Sequence, residues 1–399
     1  MKALIKSLGI ACLCLACFVT PAAPAKTTPI SKAYSYLYSM MDAYSQGGTL
    51  RLVRSYTSTP TFSTGSTAFT YDNDLVITAL LARATPEDVQ RAMVLGDALI
   101  YVQTHDGIND GRVRNAYEAK QLAKDNGRAN VATAQSDSYT GNMAWTGIAF
   151  IQLYRVTKEP RFLAAAKAIG TYIETSAKDS RGAGGFSGGV LADQSKIMWK
   201  STEHNIDAYA FFTLMRSATK EAHWKKDAQS ALAFLRTMWN PQAGNFYIGT
   251  GLDGVTVNKG DPTPEDVQTW SYLSLALPEY QSSIDWALTH LTATSGAFQG
   301  LSFDVADRSG VWYEGTGHAA AALAFRGQTG DDTAYAALIQ DIEVGQVSAP
   351  NANGSGIDAA SKDGLKAGGD VYNAAPHIGA TAWYCMAKRR ANPYRSLRH

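Results

Sequence analysis

Along most of the chain, apolar residues return every three to four positions in long runs, and short segments rich in Gly, Asp or Pro break the runs. The runs come in couples: 72–83 with 86–104, 142–156 with 160–176, 203–219 with 223–238, 266–277 with 282–291, and 314–327 with 332–342. Pro86 and Pro160 open the second member of their couples, where the missing N–H is no loss to a helix. A sixth run, 377–391, has no partner after it. The amphipathic segment 31–45 can supply one, which would bring the two ends of the chain together.

The first member of each couple is the more apolar, as in Ala144-Trp145-Thr146-Gly147-Ile148-Ala149-Phe150 and Ala319-Ala320-Ala321-Ala322-Leu323-Ala324-Phe325. Helices apolar on nearly all sides are buried, so the first members form an inner ring and their partners an outer one. Starts near 72, 142, 203, 266, 314 and 377 recur at intervals of 48 to 70 residues, the mark of a solenoid or a closed toroid. An open superhelix or a squalene-cyclase-like toroid has similar periodicity. Six inner and six outer helices instead predict an all-α (α/α)6 barrel, with 26–399 as one catalytic domain.

The N-terminus adds a destination. Lys2 and Lys6 precede an apolar run over 8–19, followed by Ala23-Pro24-Ala25, which reads as a signal peptide over 1–25 cut near Ala25. The protein is therefore expected to be secreted or periplasmic, and the run is too short to span a bilayer of roughly 20 residues. Lipid attachment at Cys17 would call for Leu three residues earlier, where Cys14 stands. Cys12, Cys14 and Cys17 leave with the signal, so Cys385 remains and no internal disulfide is expected.

A net charge of +1, from 36 basic and 35 acidic residues with both signs interspersed, excludes a nucleic-acid or acidic-membrane partner. The 8 Trp and 20 Tyr often sit beside polar groups, a combination that suits the apolar faces and polar rims of sugars. The sequence holds no His-x-x-x-His and no mature Cys pair, and Asp106-Gly107-Ile108-Asn109-Asp110-Gly111 is not a complete Ca²⁺ loop. The expectation is a monomer acting on a poly- or oligosaccharide without metal or cofactor.

Polar residues gather where inner helices begin: Tyr71-Asp72-Asn73-Asp74, Tyr139-Thr140-Gly141-Asn142, Ser201-Thr202-Glu203-His204-Asn205-Ile206-Asp207, Glu265-Asp266-Val267-Gln268, Trp312-Tyr313-Glu314-Gly315-Thr316-Gly317-His318 and Pro376-His377. Parallel inner helices converge these starts on one mouth. Helix capping explains many of the Asp, Asn, Ser and Thr but does not call for the histidines or tryptophans. Glycoside hydrolysis needs one carboxylic acid to protonate the leaving oxygen and one carboxylate to activate water or attack carbon. Glu203 and Glu314 are the first choices, because neighbouring aromatics and small residues can desolvate them. Asp72 and Asp74 are the base candidates, and Asp74 and Asp207 can equally be structural. Asn142, His204, Asp207, Gln268, Trp270, Trp312, His318 and His377 are the expected sugar contacts.

On these motifs the mature chain resembles the six-hairpin glycosidase superfamily of (α/α)6 enzymes, which implies a carbohydrate substrate and a cleft at the inner-helix N-termini. The stretch Trp312 to Ala320 is similar to the helix start of unsaturated-glycan hydrolases in that superfamily. Tyr71-Asp72-Asn73-Asp74 is similar to the Asp-x-Asp helix start of glycoside hydrolase family 8. That family places its general acid upstream, where residues 26–71 contain no Glu, so the likeness carries over Asp72 alone.

Two other classes compete. A polysaccharide lyase would use Tyr139, Asn142, His204, Asn205 and His377 on a uronate, but Lys200 is the sole cation at the helix starts. A non-enzymatic glycan-binding envelope protein has no need of paired acids at the mouth.

Overall fold

The computed structural model describes residues 27–260 and 262–397, so the signal segment, its cleavage site and Cys17 lie outside the described residues. Twelve α-helices follow in order: α1 (Pro29–Met41), α2 (Thr70–Arg83), α3 (Pro86–Thr104), α4 (Thr140–Thr157), α5 (Pro160–Ser176), α6 (Thr202–Thr219), α7 (Ala222–Met238), α8 (Glu265–Leu275), α9 (Ser282–His290), α10 (Tyr313–Arg326), α11 (Asp331–Ser348) and α12 (Ile378–Lys388). The even-numbered helices form a closed inner ring in which α2 packs on α4, α4 on α6, α6 on α8, α8 on α10, α10 on α12, and α12 back on α2. Each has an outer partner, and α1 fills that role for α12. This is the (α/α)6 barrel.

Burial follows the sequence logic. Inner α4 buries 13 of its 18 residues, whereas outer α5 buries one stripe containing Phe162, Ala166, Ile169 and Ile173. Inner helices approach closely where side chains are absent: a Cβ at Gly147 would lie 2.3 Å from the Phe211 ring. The inner helices α2, α4, α6 and α8 end on Ala84, Lys158, Lys220 and Ala276, all in the left-handed conformation. That cap reverses the chain within a few residues, and Pro86 and Pro160 then start α3 and α5.

The mouth is built by one device repeated six times. The fourth residue of every inner helix takes an N–H from the segment leading into that helix. Asn73 Oδ1 accepts from Val53 at 2.8 Å, Met143 Sδ from Val113 at 3.4 Å, and Asn205 Oδ1 from Phe186 at 2.8 Å. Gln268 Oε1 accepts from Phe246 at 2.8 Å, Thr316 Oγ1 from Leu301 at 3.0 Å, and Thr381 Oγ1 from Ile357 at 2.9 Å.

The first N–H of each inner helix, which has no partner inside its own helix, is then taken by the neighbouring unit. Thr70 donates to Asn115 O, Thr140 to Gly188 O, Thr202 to Ile248 O, Glu265 to Phe303 O and Tyr313 to Ala359 O, at 2.8 to 3.1 Å. Ile378 closes the circle by donating to Ser55 O at 3.0 Å. In all six units the accepting carbonyl lies two residues beyond the N–H bound by the following helix.

The opposite end is plugged. Helical periodicity predicts the last helix to 391, but α12 ends at Lys388 and the chain folds back under the barrel. Gln152 Nε2 donates to Pro393 O, and Asn392 Nδ2 donates to Leu273 O, both at 2.9 Å. Tyr394 enters the barrel, packs 5.0 Å from the Trp145 ring, and donates its hydroxyl to Asp207 Oδ1 at 2.9 Å.

Candidate active site

Three cavities join into one groove across the mouth. The central chamber, about 240 Å³, is lined by Tyr71, Asn142, Trp145, Glu203, Asp266, Trp270, Trp312, Glu314, His318 and Tyr372, among others. A cavity of about 590 Å³ shares Tyr71, Asn142, Glu314 and Tyr372 with it and adds Asp72, His377, Asn115, Gln135 and Asp137. On the other side a cavity of about 430 Å³ shares Glu203 and Phe303 and adds Trp199 and His204. The floor is aromatic: the Trp270 ring lies 5.9 Å from Trp383 and 5.5 Å from Trp145. Over it leans the hairpin Leu365–Ala367 and Asp370–Tyr372, whose Tyr372 stacks on Trp312 at 5.5 Å.

Glu314 is the electrostatic hub. Tyr71 donates its hydroxyl to Glu314 Oε1 at 2.7 Å. His318, one turn along α10, places Nε2 3.7 Å from the same oxygen, and His377 Nδ1 lies 3.6 Å from Oε2. Burial works to raise the Glu314 pKa, but the His318 imidazole beside it, the charge of His377 and the Tyr71 hydroxyl outweigh it. The carboxyl therefore falls below its usual range and is ionised.

His318 also reaches Glu265 Oε2 at 3.0 Å. Burial opposes its charge, yet the hydrogen bond to Glu265 and the Glu314 carboxylate 3.7 Å away push it up to about 9. Nδ1 of His377 accepts the Ala380 N–H at 3.2 Å and its Nε2 donates to Asp72 Oδ2 at 3.0 Å, and against burial the Asp72 and Glu314 carboxylates raise the pKa of this ring.

Across the chamber the acids behave oppositely. Burial, then the negative charges of Asp266, Asp207 and Glu314, push Glu203 well above the ordinary carboxyl range. Burial and the charge of Glu265 raise Asp266 to about 7. His204 has no charged partner, and burial lowers it to about 4, a neutral imidazole with an unpartnered Nδ1.

The crowding around Glu314 depends on a missing side chain. A Cβ at Gly379 would lie 2.6 Å from His377 Cε1, 2.8 Å from Asp72 Oδ1 and 3.2 Å from Glu314 Oε2. Gly379→Ala is expected to shift this trio and lower kcat/KM by about 100-fold while the protein stays folded. Steady-state kinetics beside a thermal melt checks this, and unchanged kinetics in a folded variant would remove the trio from the chemistry.

No protein-family model matches the sequence, and no curated protein is significantly similar to it. Solved structures do match. Cellobiose 2-epimerase from Bacillus thermoamylovorans superposes with a TM-score of 0.67 at 11% identity, over 90% of this chain and 98% of its own. A D-mannose isomerase gives 0.64 at 13%, over 92% and 99%. A family 76 glycoside hydrolase, a mannosidase from Bacteroides thetaiotaomicron, gives 0.61 at 14%, over 91% and 98%. The barrel is shared with all three.

Of the expected site residues, Glu203, Glu314, Asn142, Trp270, Trp312 and His318 meet in the central chamber. Asp72 and His377 line the large cavity and His204 the third. The other three lie elsewhere. Asp74 is fully buried, accepts from Thr146 Oγ1 at 2.9 Å and lines none of the three cavities, so it is a core acid rather than a base at the mouth. Asp207 is fully buried on the Tyr394 hydroxyl. Gln268 is not a sugar contact either: besides accepting from Phe246 N, its Nε2 donates to Phe246 O at 3.0 Å, so it clamps the lead-in strand.

Tyr71, Glu265 and Asp266 all stand in the motifs quoted above, yet from sequence Tyr71 and Glu265 received no role and Asp266 was one of the acids at the mouth without an assigned duty. Asp370 and Tyr372 were not singled out, because the hairpin that carries them has strands of three residues, too short to show a period.

Proposed function

We propose that this protein is a sugar-processing enzyme, specifically a glycoside hydrolase of poly- or oligosaccharides. Glu203 serves as general acid and Glu314 as the ionised carboxylate that activates water or attacks the anomeric carbon. One observation carries the reading: two carboxyls line one chamber, and their surroundings drive them to opposite protonation states. Separated environments of this kind assign acid and base duties.

A continuous groove with Trp270, Trp312 and Tyr372 at its centre suits a chain of sugars better than a single one. The structural neighbours that process cellobiose, mannose and mannosides support a carbohydrate substrate. The signal-like N-terminus supports export. Lyase chemistry is disfavoured because Lys200, the sole Lys or Arg among the three cavity linings, donates its Nζ to Arg181 O and Gly184 O, each at 2.7 Å.

A second reading, sugar epimerisation or isomerisation, is favoured by His204, whose neutral ring is suited to take a proton from carbon, and by the 2-epimerase and isomerase neighbours. The deciding experiment incubates the purified protein with neutral and uronate-containing glycans and with free reducing sugars. New reducing ends without ultraviolet-absorbing unsaturation are expected. Unsaturated products would establish the lyase, and a new epimer or ketose without cleavage would establish the isomerase.

A further inference from the structure

The groove has two chemically different ends. The large cavity presents Asn115, Gln135, Asp137, Asn142, Asp370 and His377, a set of polar side chains suited to hydroxyl groups. The third cavity presents Trp199, Ile248, Leu252, Pro264, Val267 and Phe303. Three of its polar members are already spent. Lys200 is 1% exposed and its ammonium bonds two backbone carbonyls. Thr250 Oγ1 accepts from Lys200 N and donates to Gly251 O, each at 3.1 Å. Ser201 Oγ caps His204 N at 3.3 Å.

The side-chain polarity left is Glu203, which the cavity shares with the central chamber, His204, and the exposed Asn258. Outward the surface continues apolar. Leu252 is 72% exposed, Val255 51% and Met198 42%. Arg181 gathers the segments that carry them by donating to Leu252 O at 3.1 Å and Met198 O at 2.6 Å, while Val255 packs over Gly182.

We propose that this third cavity binds an apolar group, alkyl or aromatic, carried by the sugar on the far side of the bond that is broken. The substrate class is then an amphipathic glycan, with its sugars over the polar end and the central chamber and its apolar part against Leu252 and Trp199. This rests on the glycosidase reading for the place of the scissile bond. Oligosaccharide rings are the competing occupant, but they need more hydrogen-bonding partners than this mainly apolar end offers.

The test is equilibrium binding to the full protein, independent of turnover. Methyl, phenyl and octyl glucosides and mannosides are titrated by calorimetry below the octyl micelle threshold, with Leu252→Asp alongside. Leu252 is at an exposed hairpin tip outside the catalytic set, so the variant is expected to melt like the parent. The octyl or phenyl glycoside is expected to bind at least about tenfold more tightly than its methyl counterpart, with a more negative heat-capacity change. Leu252→Asp is expected to erase that advantage and leave methyl glycoside binding unchanged. Preference for octyl over phenyl would identify a lipid-like group, and the reverse an aromatic one.

Equal binding of all three, or a preference untouched by Leu252→Asp, would overturn the proposal. So would a Leu252-dependent gain for an unmodified oligosaccharide. A Leu252-dependent octyl preference with no glycoside ever cleaved would leave the pocket standing and remove the hydrolase reading. Cleavage without the preference would do the opposite.

Discussion

His318→Leu is expected to lose about 3 to 5 kcal/mol of folding stability at pH 7, the range for breaking a buried ion pair from one side. His318 and Glu265 are 0% exposed and Glu314 3%, and one imidazolium lies 3.0 Å from the first carboxylate and 3.7 Å from the second. Leucine matches the ring roughly in size but leaves both acids without their shared cation. Urea unfolding measures the loss as a lower midpoint at unchanged slope.

The pH dependence has a defined sign. The folded-state pKa of His318, about 9, lies above the ordinary value of 6.5, so its contribution is complete below about 6.5 and is lost as pH rises through 9. The gap between parent and variant is therefore expected to narrow over that interval. A loss under 1 kcal/mol would mean that His318 does not hold this charge.

Glu203→Gln is expected to lower kcat by about 10² to 10⁴-fold, the usual contribution of a positioned general acid, with substrate binding retained. The amide keeps the size of the side chain and cannot donate a catalytic proton. In the parent, kcat/KM is expected to fall on the acid side below the usual carboxylate range, where Glu314 gains a proton. On the alkaline side it falls where Glu203 loses its own, well above 4.5. The variant should lose the alkaline limb attributable to Glu203. Less than a tenfold effect would transfer the role to Asp266, whose pKa is raised to about 7.

The ring was legible because inner helices are apolar all round and outer ones on a single stripe, and that difference survives in any reading of periodicity. Individual sites were less legible for a geometric reason. Asn73 and Asp74 are adjacent on α2 and both buried, yet one clamps Val53 and the other accepts from Thr146 between helices. Sequence does not say where the barrel axis lies relative to such a pair, so Asp72 and Asp74 looked equivalent as bases.

Gln268 misled for a related reason: a side chain that clamps a strand and one that holds a hydroxyl have the same chemistry and the same place at a helix start. Glu203 and Glu314 stood out because aromatic and small neighbours foretell desolvation, and both line the central chamber. The terminal plug was not legible, since residues after 391 form no repeating pattern, and the Tyr394 hydroxyl that anchors it meets an acid 187 positions away.

Because Ile378 holds Ser55 as each other inner helix holds its neighbour's lead-in, the circle has no structural seam. The interruption between first and last units is one of covalent connectivity only, and it happens to fall where α1 leans on α12. The polypeptide thus reads as a loop of six interchangeable links that could be opened at another link, with the old ends joined, and still present the same six helix starts to one substrate.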